Sequence, residues 1–201
     1  MKVNMLSFKA ISEVFSNFLD GTSIESERGD QLTHLIRLNI GTNQKLWDLE
    51  DSARMFEHGP EYIATTKQEL DKSNQIRNDL IREIDTVVSK QIGGQPPSSR
   101  KQFYSETPGM IVDRLSILFI KRSSIKELLS VIEGKELKSE YREKERVIFR
   151  QINRLGSFLD SYFDKLNDHK VYFEIHQPVK IYNDARVTKY IRLLRKLKHN
   201  S

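Results

Sequence analysis

From Pro60 to Lys90 apolar residues recur at helical spacing, through Ile63, Leu70, Ile81, Ile84 and Val88. The run that stops them, "IGGQPPSSR", sets two glycines and two prolines where a helix cannot continue. A helix that long buries its apolar stripe only against other elements, so the rest of the chain must supply partners. Four further stretches do so. Ser7 to Leu19 places Ile11, Phe15 and Phe18 on one face and stops at Asp20-Gly21. Asp30 to Glu57 carries Leu32, Leu35, Ile36, Leu46 and Trp47, and His58-Gly59-Pro60 ends it. Thr107-Pro108 pairs an N-cap with a first-turn proline, opening a helix that runs to Glu133 before Gly134. Leu137 to Leu166 places Ile148, Ile152, Leu155, Leu159 and Tyr162 at steps of three and four. Long helices with short connections predict an all-α fold, an antiparallel bundle of about five long helices.

The segment "KVYFEIHQPVKIYNDARVT" alternates like a strand and has a turn signal at Asn183-Asp184. It predicts a short extended or hairpin C-terminal arm between Val171 and Arg186. "KYIRLLRKLKHN" predicts a short basic helix, read as a solvated helix end in preference to a contact for acidic lipid or nucleic acid. The expected organisation is an N-terminal helix and linker over 1–29, a helical bundle domain over 30–170, and the arm with its basic helix over 171–201.

Composition narrows the function classes. The chain has no cysteine, which removes disulfides, thiolate metal sites and a cysteine nucleophile, and suits a reducing compartment. No stretch approaches ~20 uninterrupted apolar residues, so no membrane span is expected. The first residues lack an apolar run followed by small cleavage residues, so the expected location is cytoplasmic. The net charge of +5 arises from abundant charges of both signs, which argues for a solvated, paired surface and against a nucleic-acid partner. His34, His58, His169, His176 and His199 lack ligand spacing, and neither "IGGQ" nor "HGPE" has the glycine spacing of a phosphate loop.

The informative feature is polarity on apolar stripes. Ile36, Asn39, Asn43, Trp47, Glu50 and Arg54 follow one another at steps of three or four, near one helix face. The next helix repeats the pattern with Leu70, Asn74, Arg77, Ile81 and Ile84, with Asp71, Asn78 and Asp85 beside them. In the fourth, Asp113, Arg114, Ser116 and Lys121 lie among Ile111, Leu115 and Leu118. Two readings stand. Buried amides and ion pairs can fix helix register without any ligand, with Glu50, Asp51, Asp85 and Asp113 paired to Arg77, Arg114 and Lys121. Alternatively the set lines a shared polar pocket. Asp113 and Arg114 point about 100° apart on a helix and so need different partners. Arg114 is expected to reach Glu50 or Asp85, and Asp113 to accept backbone or amide hydrogen bonds or to face Arg77.

"WDLED", "SNQIRNDLIREID", "TPGMIVDRLSIL" with Lys121, and "KIYND" resemble, in that order, the signatures of a bacterial family, domain-of-unknown-function family 4254. The resemblance runs from about Asn39 to Asp184, and the "DRLSIL…K" box is its most specific part. It implies a single-domain, mostly helical protein whose genes lie among those for cell-surface polysaccharide or lipopolysaccharide assembly, and it brings no activity. Carried over by position, its motif residues are Trp47, Glu50, Asp51, Asn74, Arg77, Asn78, Asp85, Asp113, Arg114, Ser116, Lys121, Tyr182, Asn183 and Asp184. The family's proline after "YND" is here Ala185.

The favoured expectation is a protein that binds a phosphorylated or nucleotide-linked sugar. Its candidate ligand-binding residues are Asn74, Arg77, Asn78, Asp113, Arg114, Ser116, Lys121, Tyr182 and Asn183. The cations would hold the anion and the amides the hydroxyls. One alternative is a magnesium-dependent all-α nucleotide pyrophosphohydrolase with Glu50, Asp51, Asp85 and Asp113 as metal ligands. Another is a helical scaffold that docks a glycosyltransferase or a second copy of itself through an apolar patch around Phe15, Phe18 or Phe173.

Overall fold

The computed structural model describes residues 7–22, 30–94, 102–177 and 186–199. Six helices dominate them: α1 (Phe8–Leu19), α2 (Gln31–Ser52), α3 (Pro60–Gln91), α4 (Pro108–Val131), α5 (Lys135–Asn167) and α6 (Thr188–His199). The fold is all-α. The starts are fixed by local chemistry. Ser7 Oγ accepts from the Ala10 N–H at 3.3 Å, Asp30 Oδ1 from Thr33 at 2.8 Å, and Thr107 Oγ1 from Met110 at 3.2 Å. Each satisfies a backbone donor that has no partner within the first turn. Gly59, at φ 86°, turns the chain into Pro60, the first residue of α3. α2 ends at Ser52 instead of Glu57. There Arg54 N–H bonds back to Asp51 at 3.1 Å, and a short 3-10 turn, Phe56–His58, follows.

α4 packs against α1, α2, α3 and α5, while α2 lies along α3 and α5 along α4. Its sequence suits that place, because Ile111, Val112, Leu115 and Ile120 together leave no wide polar face near its start, and all four are buried. The core joins them to Ile11 and Phe15 of α1, Ile36 and Ile40 of α2, Ile84 and Val88 of α3, and Leu159, Tyr162 and Leu166 of α5. Phe15 and Phe173 are buried and Phe18 packs partly buried against the core. The expected apolar patch around them is therefore not on the surface.

Of the arm expected over Val171–Arg186, extended or hairpin, residues up to Gln177 and Arg186 are described, and its strand pairs with a segment outside the arm. Two short strands, β1 (Gln102–Phe103) and β2 (Val171–Tyr172), pair in parallel, so Val171 finds its partner in the segment before α4. Backbone bonds from Gln102 N–H to Lys170 O (3.1 Å) and Tyr104 N–H to Tyr172 O (2.9 Å) hold the ladder. The turn expected at Asn183-Asp184 lies outside the described residues. Among the described residues, no helix is long and apolar enough to cross a membrane.

Candidate functional site

The polar stripe of α2 meets α4 through a buried amide network. Asn39 is fully buried and Asn43 nearly so. Asp113 Oδ1 accepts from Asn39 Nδ2 at 3.0 Å and from Asn43 Nδ2 at 2.8 Å. Asn43 Nδ2 also donates to Ser116 Oγ at 2.7 Å, and Ser116 Oγ donates to the Asp113 carbonyl at 2.8 Å. Neutral amides thus solvate the carboxylate in place of an arginine, which spares the site a second buried charge. Of the two outcomes expected for Asp113, this is the amide one. The network also fixes the register of α2 on α4.

Asn43 opens on its other side onto a cavity of about 270 Å³. From α2 come Leu46, Trp47, Glu50, Asp51 and the neighbouring Arg54. Asn74 and Arg77 come from α3, and Ile117 from α4. The α2 residues share the cavity because steps of three and four keep them on one face. Asp51 and Arg54 pair with each other at 3.0 Å, well exposed, an interaction worth about 0–1 kcal/mol. Arg77 differs. Its Nε is buried without a hydrogen-bond partner, and among the described residues Arg77 makes no ion pair. Leaving a buried donor unmet costs about 1–3 kcal/mol, more on a charged group. The cavity therefore contains a guanidinium without an ion pair beside an indole, a primary amide and the Glu50 carboxylate, a combination able to take an anionic group together with an apolar face and hydroxyls.

Other expected site residues lie elsewhere. On α4, Asp113, Ser116 and Ile117 form the stripe toward α2 and α3. Arg114 lies on the next stripe with Leu118, toward α5, and Lys121, seven residues on, keeps that side. Arg114 pairs with Glu106, and not with Glu50 or Asp85; both partners are about half exposed. With Leu118, Gln151, Arg154, Leu155 and Phe158 it lines a separate groove of about 460 Å³ between α4 and α5. Lys121 and Asn78 are exposed and line neither space. Arg77, Arg114 and Lys121 therefore do not line one space. Tyr182 and Asn183 lie outside the described residues.

Asp85 is buried beneath the start of α4. Its Oδ1 accepts from the Gly109 N–H at 2.7 Å, and the Thr107 side chain bonds the same carboxylate. Burial pushes its pKa up to about 6, against the downward pull of Thr107 and of Gly109. Gly109 is required by this contact, since a Cβ there would stand 2.4 Å from the Ile81 carbonyl and 2.9 Å from Asp85 Oδ1. The four carboxylates expected to hold magnesium therefore do not converge. Glu50 and Asp51 line the cavity, Asp113 is held by amides, and Asp85 caps a helix. Among the described residues no group of three His, Cys, Asp or Glu side chains is placed to hold a metal ion.

Asn43, Trp47 and Arg54 line the cavity without being among the expected ligand-binding residues, although all three stand on the α2 stripe. Their spacing to Glu50 was the signal that could have found them. No curated protein and no solved structure matches the chain. Residues 33–175, from the first turn of α2 past β2, match the family described as protein of unknown function (DUF4254). That span contains every residue lining the cavity, and the chain belongs to this family.

Proposed function

We propose that the cavity between α2, α3 and α4 binds the phosphate-bearing part of a phosphorylated or nucleotide-linked sugar. On this reading the protein serves cell-surface polysaccharide or lipopolysaccharide assembly in a bacterial cytoplasm. The observation that supports it is the unpaired, partly buried guanidinium of Arg77 in an open cavity. Arg77 takes the phosphate oxygens, Trp47 covers an apolar face of the sugar, and Asn74 and Glu50 bond its hydroxyls. A volume of about 270 Å³ lies just under the ~300–1,000 Å³ range of drug-sized ligand sites. It suits a monosaccharide phosphate, so a nucleotide portion would extend out of the mouth. The helices around it are read as an antiparallel bundle, because only Ile132–Gly134 separates α4 from α5 and returns the chain along its partner.

The test is calorimetric titration with a monosaccharide phosphate, a nucleotide-linked sugar and an unphosphorylated sugar, each with and without magnesium. Binding should require the phosphate and be indifferent to magnesium. Arg77→Met should weaken it at least about tenfold, the loss of a charged hydrogen bond. Binding that needs magnesium, or an equal affinity for the unphosphorylated sugar, would contradict the reading.

A further inference from the structure

α6 is the one helix that packs against no other element among those described. Tyr190, Leu193 and Leu194 are more than half exposed on it, so its apolar side is uncovered in the free chain. At about 100° per residue, Tyr190, Ile191, Leu193 and Leu194 occupy one arc, which the position of Lys198 interrupts between Leu194 and Ile191, and Lys189, Arg192, Arg195 and Lys196 occupy the opposite one. The helix carries no acidic residue. Leucines on one face and an all-cationic polar face are the makeup of helices that lie in the headgroup plane of a bilayer.

We propose that α6 is an interfacial helix that docks the protein on an anionic lipid surface. The apolar arc enters the acyl boundary and the four cations meet the headgroups. Two other occupants fit less well. The apolar groove between α4 and α5, lined by Ile125, Val147 and Ile148, is rimmed by Glu140 and Glu143. Lys144 and Arg146 already pair with those carboxylates, so the groove offers little to a basic helix. A nucleic acid would engage the cations and leave Tyr190, Leu193 and Leu194 in water, where their segregation serves nothing.

Flotation of the full chain with vesicles tests this. It should co-float with phosphatidylcholine vesicles containing phosphatidylglycerol, not with pure phosphatidylcholine, and partitioning should fall with salt. Arg192→Ser should lower partitioning about fivefold, the usual effect of one cation near such a surface. Leu193→Glu with Leu194→Glu should lower it more than about tenfold. The melting temperature of the bundle should stay unchanged in both, because α6 packs on none of it. Failure of the unmodified chain to float, or flotation that survives the leucine changes, would overturn the proposal. So would tighter binding to duplex nucleic acid that is insensitive to those leucine changes.

Discussion

Asp85 and Asp113 are both aspartates facing a neighbouring helix, and they are satisfied in different ways. Asp113 has two side-chain amides; Asp85 has one backbone N–H and one hydroxyl in a drier place. With the folded pKa of Asp85 raised to about 6 from an ordinary value near 3.9, the folded state holds its proton more tightly than the unfolded chain does. Its stabilising contribution is therefore full below about pH 4 and is lost as pH rises through about 6, a change on the order of 3 kcal/mol. Asp85→Asn keeps an acceptor for Gly109 and does not titrate. In urea unfolding the variant should gain on the parent between pH 4 and pH 7.5; parallel pH curves would contradict the assignment. Gly109→Ala should cost about 1–3 kcal/mol or more by overpacking Ile81 and Asp85. Arg114→Ala should cost less than about 1 kcal/mol, because its partner is the half-exposed Glu106 and not Glu50 or Asp85, which the sequence suggested.

At the scale of elements, the helices were legible because their signals are local. The caps at Ser7, Asp30 and Thr107, the Gly59-Pro60 break and the three-to-four spacing fall within one or two turns of what they control. Which stripe of α4 faces which neighbour was not legible. Arg114 and Asp113 are adjacent in sequence, and only the packing of α5 decides that Arg114 turns away from α2. The strand pairing was hidden for a similar reason, since Val171 pairs across the whole length of α4 and α5. The far part of the α4–α5 pair has no buried side chain between Ile120 and Ile152. Arg122 bridges it, bonding Glu145 at 2.6 Å and lying 4.4 Å over the Phe149 ring. Amide exchange should accordingly be faster in 121–151 than in 108–120 or 152–167, and Arg122→Ala should widen the gap. Uniform protection along both helices would contradict this.

For the whole molecule, the sequence held half of the candidate site. The α2 stripe and Asn74–Arg77 were visible as polar residues at helical spacing, and they do meet across one cavity. Lys121 and Asn78 stand beside the apolar stripes and in the family motif, but both are exposed and line neither space. On the proposed reading Arg77, which has no ion pair in the free protein, serves a ligand. Trp47 is the chain's single tryptophan and lines the same cavity, so its fluorescence reports on that cavity directly. The deciding measurement is a fluorescence titration of the parent and Arg77→Met chains with a monosaccharide phosphate, alongside their unfolding free energies. A saturable Trp47 signal that Arg77→Met abolishes is expected, with stability unchanged or raised by up to about 3 kcal/mol as the unmet donor is removed. No signal in the parent, together with a loss of roughly 3–5 kcal/mol in Arg77→Met, would show that Arg77 neutralises a buried carboxylate and that the cavity is not its purpose.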